Sequence, residues 1–89
     1  MEININYTKQ ILEKLLGNQM SREEASFLAY DLRQKADDNK LMYFPKANEN
    51  MIWESILFIE GIDIQNEPNV YLYNERDIAE FLQKLKCFE

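Results

Sequence analysis

Residues 48–61 read NENMIWESILFIEG, the most apolar helical pattern of the chain. The asparagine at its start is a suitable N-cap, so the pattern predicts a helix that runs to about Glu60 and stops at Gly61. The polar residues that interrupt its apolar surface are Glu54, Ser55 and Glu60. Its apolar residues surround most of the axis: Met51, Ile52, Trp53, Ile56, Leu57, Phe58 and Ile59. Because a helix that is apolar nearly all round is buried, we predict this helix at the centre of the domain, with Trp53 in the core.

Two amphipathic helices are predicted before the central one. The first covers about residues 7–16, where apolar residues recur on one arc, and Gly17 supplies a left-handed stop. The second starts at a capping box formed by Ser21 and Glu24 and continues to about Ala36. Its inner stripe comprises Ala25, Leu28, Ala29, Leu32 and Ala36.

Two further stretches are predicted to be extended. Residues 41–45 are apolar, and the proline at their end biases Phe44 away from the helical region. Residues 62–65 and 70–73 alternate as short strands around a turn at 66–69. A four-residue hairpin loop would place Ile64 opposite Tyr71, so that isoleucines and tyrosines share one face. A one-residue slip reverses this, so the sequence leaves open whether the tyrosines face the core or a partner.

The last predicted helix completes the fold. Asn74, followed by Glu75 and Asp77, caps it. Its apolar stripe is Ile78, Phe81, Leu82 and Leu85. Two glycines and two prolines in 89 residues leave little room for the turns of an all-β fold. We therefore predict a mainly α fold: a single domain over residues 1–89, built as a compact bundle of about four helices with a small β-hairpin between the third and fourth.

Charge is divided unevenly along the chain. Lys46 and Arg76 enclose 29 residues without a lysine or arginine. Residues 1–46 hold seven acids and seven bases, so the formal net charge of −6 comes entirely from residues 47–89. A half of one sign repels nucleic acid and anionic lipid and attracts a basic partner, although an acidic face that only aids solubility has the same composition.

The composition also disfavours several classes of function. With no histidine and one cysteine, the chain lacks the usual general base and the ligands of a zinc site, so we predict no enzyme, cofactor or metal. Its basic residues form no run, which disfavours nucleic-acid binding. The apolar run 56–59 is too short to span a bilayer, and residues 1–6 lack the features of a signal peptide. We predict a cytoplasmic protein that does not bind membranes.

Four segments carry a resemblance to a known class of protein. They are SREEA at 21–25, WESIL at 53–57 closed by GID at 61–63, VYLY at 70–73 and DIAEFL at 77–82. In this layout the chain resembles small bacterial immunity proteins encoded beside polymorphic or contact-dependent growth inhibition toxins. The resemblance implies an inhibitor that binds and neutralises a cognate toxin domain, expected to be a basic nuclease. An interaction adaptor or subunit of a larger assembly, and a nucleic-acid mimic, remain as alternative hypotheses.

On this interpretation, carboxylates and tyrosines bind the partner. The expected acidic contacts are Glu49, Glu54, Glu60, Asp63 and Glu67, with Asp37 and Asp38 as a second cluster. The expected anchors are Tyr43, Tyr71 and Tyr73, because interface energy concentrates in a few aromatic and arginine-pairing groups.

Two aromatic residues on the other side of the second helix bear on the oligomeric state. We expect a second packing neighbour to cover Phe27 and Tyr30, the alternative being that they are exposed as partner contacts. Because the acidic surface should repel itself, we expect a monomer when free, although these aromatics leave a dimer open.

Overall fold

Within residues 1–68 and 70–88, which the computed structural model describes, four α-helices and two small β elements make up the fold. The helices are α1 (Ile5–Leu16), α2 (Arg22–Asp37), α3 (Glu49–Glu60) and α4 (Glu75–Lys86). The strands are β1 (Glu2–Ile3), β2 (Met42–Tyr43), β3 (Gln65–Glu67) and β4 (Val70–Tyr71), and a 3-10 turn covers Lys46–Asn48. The predicted helical bundle with a hairpin between the third and fourth helices is confirmed. Asn69, in the predicted turn, lies outside the described residues.

α3 packs against α1 and α2, and α1 packs against α4. The buried inner side of α3 comprises Met51, Ile52, Ser55, Ile56 and Ile59. The expectation that a helix apolar around most of its axis is buried is wrong for the outer side, where Leu57 is 44% exposed. Trp53 packs against the core but is only partly buried. Because α1 and α2 are the main neighbours of α3, its outer side keeps apolar surface in contact with solvent.

Asparagines take the left-handed positions that end α1 and α2. Asn18 has φ 57° and Asn39 has φ 58°, whereas Gly17 has φ −87°. At each of these ends the next amide donates a 2.8 Å hydrogen bond to a carbonyl five residues back. The expected left-handed stop at Gly17 is therefore wrong by one residue, because asparagine tolerates this backbone region.

The helix N-termini follow the sequence more closely. The amide of Glu24 donates to Ser21 Oγ (3.0 Å), and the Ser21 amide donates back to the Glu24 carboxylate (3.4 Å). Asn74 and Asp77 form the same reciprocal cap on α4. At α3, Asn48 holds the N-cap position, but within the described part of the chain its side chain makes no capping hydrogen bond. Its backbone is in a turn conformation (φ −94°, ψ 6°) rather than the extended one that such caps need.

The hairpin register differs by one residue from the predicted pairing. Gln65 lies opposite Tyr71, and the Leu72 amide donates to the Ile64 carbonyl over 2.8 Å. A turn at residues 61–63 follows α3 directly, so β3 begins later than predicted. Ile62 consequently becomes fully buried, while Ile64 is 52% exposed.

The sequence does not predict the parallel pair of β1 and β2, in which Ile3 lies beside Tyr43. Amides of Met42 and Phe44 donate hydrogen bonds of 2.7 Å and 2.9 Å to carbonyls of the β1 segment. Two-residue strands separated by two helices have no periodicity from which to infer their pairing. The pair fixes the extended segment 41–45 and with it the position of Tyr43.

The outer surface of α2 is open to solvent. Phe27 is 71% exposed and Tyr30 is 48% exposed, so the expected second packing neighbour does not cover them. Among the described residues, none of the helices combines the length and apolar character needed to cross a bilayer.

Candidate functional site

A groove of about 650 Å³ opens between the C-terminal end of α2, strand β2 and the start of α3. We call it the α2–α3 groove. The α2 end and the β2 segment line it with Ala36, Asp37, Asn39, Leu41, Met42 and Tyr43. The third wall consists of Lys46, Glu49, Asn50 and Trp53.

Local structure explains why these residues meet. The left-handed Asn39 reverses the chain at the end of α2, and pairing with β1 then holds Tyr43 in place. On α3, Glu49 and Trp53 are four residues apart and therefore lie on the same side of the helix. The groove thus lies where the ends of two helices meet a short paired strand.

The chemistry of the groove combines aromatic surface with negative charge. Burial, and then the charge of Glu49, raises the pKa of Tyr43 above its ordinary value, so its phenol remains a hydrogen-bond donor at neutral pH. Glu49 is partly buried, and within residues 1–68 and 70–88 it forms no ion pair. Its carboxylate is therefore available to a cation from another molecule.

The second predicted acidic cluster contributes one of its two residues. Asp37 lines the groove, and its carboxylate is 3.8 Å from the Arg33 guanidinium with the side chain 58% exposed. Asp38 is exposed at the end of α2 and is not part of the groove lining. Of the ten predicted site residues, the groove therefore unites three: Asp37, Tyr43 and Glu49.

The carboxylate of Glu60 is bound by another side chain of this protein. Arg33 Nε donates to both of its carboxylate oxygens, at 3.0 Å and 2.7 Å, which joins α2 to α3. This hydrogen bond, and then the charge of Glu60, raises the pKa of Arg33. Ser26 Oγ also donates to the backbone carbonyl of Glu60 over 2.6 Å. Glu60 therefore has a structural partner in the free protein.

Glu54 also has a partner in this chain. Its carboxylate is 3.6 Å from the ammonium of Lys84 on α4, and both side chains are more than half exposed. An exposed pair of this kind is weak, so an external cation can displace Lys84 at little cost.

The hairpin holds the remaining predicted residues away from the groove. The ring of Tyr73 contacts that of Phe58 on α3 in a tilted arrangement, with centroids 4.7 Å apart, and Tyr71 lies 4.0 Å beneath the Arg22 guanidinium. The same guanidinium donates to the carbonyls of Ile62 (2.8 Å) and Tyr73 (2.7 Å). Both tyrosines therefore contact groups of this chain. Two predicted carboxylates lie in the same region: Asp63 and Glu67, partly buried and exposed respectively.

The sequence interpretation assigned Trp53 to the core and missed its place in the groove. The available indication was helical spacing: Glu49, Trp53 and Glu60 fall on one side of α3. The two acids place this side of α3 at the border of the buried surface, and the indole beside them is correspondingly only partly buried.

Among the described residues, no three His, Cys, Asp or Glu side chains are grouped so that they could hold a metal ion. Comparisons with protein-family models, with curated proteins and with solved structures find no match to this chain. Its function must therefore be inferred from the groove and from the charge that surrounds it.

Proposed function

We propose that this protein is an immunity-type inhibitor that binds and neutralises a basic, nuclease-type toxin domain through an acidic surface that includes the α2–α3 groove. The observation that carries the proposal is that Tyr43 and Trp53 share one concave site with Glu49, whose carboxylate has no ion pair among the described residues. Interfaces draw most of their energy from such partly buried aromatic and charged groups.

The distribution of charge supports a basic partner. Residues 47–89 contain nine acids and three bases. Two of those bases, Arg76 and Lys84, are already within ion-pair distance of Glu80 and Glu54. The negative field of this half steers a positively charged domain toward the protein and raises the association rate, which suits an inhibitor that must act before its target does.

Inhibition of a nuclease requires only that the substrate be kept out. A nuclease holds the phosphate backbone in a basic groove, and an acidic domain bound over or beside that groove blocks it by volume and by charge. No chemical step by this chain is needed.

An adaptor role is the second candidate. The observation that favours it is the exposed pair Phe27 and Tyr30 on the outer side of α2. These residues do not line the groove, so a protein that used both surfaces would bridge two partners.

The proposal is tested by co-expressing the chain with the toxin domain encoded next to it. Cells should survive with the native protein and lose protection with Glu49→Lys, because the reversed charge repels the basic partner. Glu23→Lys is the matched control, since Glu23 is also an acid in the first turn of a helix but lies in α2. Failure of the native protein to bind the neighbouring product would reject the immunity role, and full protection by Glu49→Lys would place the interface outside the groove.

A further inference from the structure

Three cationic side chains of this chain lie in similar surroundings, each beside an aromatic ring and an oxygen acceptor. The guanidinium of Arg33 lies 5.5 Å from the ring of Tyr30 and pairs with the carboxylate of Glu60. Lys84 lies 5.7 Å from the Phe81 ring and 3.6 Å from a carboxylate of Glu54. Both combine an aromatic ring with a carboxylate.

Arg22 extends the pattern to a ring with carbonyl oxygens. Its guanidinium lies 4.0 Å above the Tyr71 ring while it donates to two carbonyls of the hairpin segment. A planar cation over a ring is attracted by the ring's negative face, and its edge remains free to donate hydrogen bonds.

The α2–α3 groove gathers the same two kinds of group. Tyr43 and Trp53 supply aromatic surface, and Glu49 and Asp37 supply carboxylates. Within the described residues, Lys46 is the cation that lines the groove, yet it forms no ion pair with either acid and lies over neither ring. Asp37 is 3.8 Å from the Arg33 guanidinium, so among the described residues the groove carboxylate without an ion pair is that of Glu49.

We infer that the α2–α3 groove binds one arginine side chain of a partner protein, with the guanidinium against the aromatic surface and its edge directed at the carboxylate of Glu49. The inference rests on the proposed function for the identity of the partner. Arginine fits better than lysine because its flat, weakly hydrated guanidinium stacks on a ring and pairs with a carboxylate at the same time. A neutral side chain of the same shape leaves the groove's negative charge unmatched.

Lys46 should lower the affinity of this site for arginine. It lines the same groove, and its positive charge repels an incoming guanidinium. Replacement of Lys46 by glutamine should therefore strengthen arginine binding, whereas Glu49→Gln should weaken it. Opposite effects from two neighbouring substitutions distinguish electrostatic recognition from a general disturbance of the groove.

The test uses the whole chain and a capped Gly-Arg-Gly peptide as the probe, followed by NMR. Trp53 is the single tryptophan, so its indole N–H gives one signal that reports directly on the groove. We expect this signal to shift saturably with a dissociation constant on the order of millimolar, as suits a single contact. The lysine peptide should bind more weakly, and the peptide with citrulline, the neutral isostere of arginine, should not shift the signal.

Variants then assign the contact. Glu49→Gln should weaken binding by about threefold or more, the loss expected from one partly exposed ion pair, and Lys46→Gln should strengthen it by a similar factor. Glu23→Gln, which removes the same charge at the far end of α2, should leave binding unchanged. An equal shift with citrulline, no shift with arginine, or equal binding by Glu49→Gln would each overturn the inference.

The outcome is separable from that of the proposed function. A chain that protects cells but whose Trp53 signal ignores the arginine peptide retains the toxin role and loses the arginine site. A chain that binds the arginine peptide but not the neighbouring gene product retains the site and loses the toxin role.

Discussion

The two ends of α3 contain the same kinds of side chain but differ in whether this chain supplies the cation. At the hairpin end, Glu60 accepts from Arg33 at 2.7 Å, and Arg22 covers Tyr71. At the groove end, Glu49 lies near Tyr43 with no ion pair within residues 1–68 and 70–88. An acidic, aromatic composition is therefore the same at both ends, and only the folded chain distinguishes a carboxylate that is already paired from one that is not.

The substitution with the largest expected effect on stability tests whether both ends of α3 depend on the same buried side of the helix. Ile56 lies between them on the inner side of α3 with no exposed surface. Ile56→Ala should lower the free energy of unfolding by about 2–5 kcal/mol, from lost burial and the cavity left behind. Urea unfolding followed by Trp53 fluorescence and by circular dichroism should give coincident transitions.

Ile64→Ala is the matched control for that experiment. Ile64 is 52% exposed in the hairpin segment, so the same change should cost less than about 1 kcal/mol. Separate transitions by the two probes in Ile56→Ala would contradict the expectation that both ends of α3 unfold together.

A smaller effect should be confined to the hairpin end. Arg22→Met removes a charged donor from the carbonyls of Ile62 and Tyr73. We expect a loss of about 2 kcal/mol, the scale of hydrogen bonds to a charged group, because these carbonyls lie in a partly buried region. Hydrogen exchange should accelerate at the Leu72 amide, which bonds Ile64, and not at the amides of β2.

Arg76→Met provides the comparison for this change. The Arg76 side chain is 85% exposed and pairs only with Glu80 among the described residues, so stability should change little. Equal exchange of hairpin amides in Arg22→Met and the native protein would show that the hairpin holds without the guanidinium.

The smallest effect should be confined to the groove end and appear only at high pH. Burial and Glu49 raise the pKa of Tyr43 in the folded state, so above about pH 10 the unfolded chain loses this proton first. Folded protein then binds more protons than unfolded protein, and stability falls as the pH rises. Tyr43→Phe should show a shallower fall in urea-unfolding free energy between pH 9 and 11. An identical fall would mean that Tyr43 is not buried beside the carboxylate.

Local patterns in the sequence predict the helices well because caps and stripes act over a few residues. The Ser21–Glu24 and Asn74–Asp77 caps are recognisable from residue type and spacing alone. The hairpin register is not, because it depends on where the turn after α3 ends, and one residue reverses every side chain.

The groove is harder to predict because one of its walls depends on a distant segment of the chain. Tyr43 is held in place by β1, about 40 positions earlier in the chain, through a pairing that no local pattern indicates. Glu60 was expected in the interface from its charge, and its pairing with Arg33, 27 positions away, is visible only in the folded chain. The charge of Glu60 is evident from the sequence, but the ion pair that neutralises it is not.

The left-handed backbone at Asn39 limits how this sequence can diverge. A side chain branched at Cβ is strained at φ 58°, whereas glycine, asparagine and aspartate accept it. Relatives that keep the groove should therefore vary freely at the exposed positions on either side but alternate among these three residues at 39. An acidic surface can drift, losing one carboxylate and gaining another, as its partner changes. The turn that shapes the groove is more restricted, so we expect the left-handed conformation at position 39 to be conserved longer than the individual carboxylates.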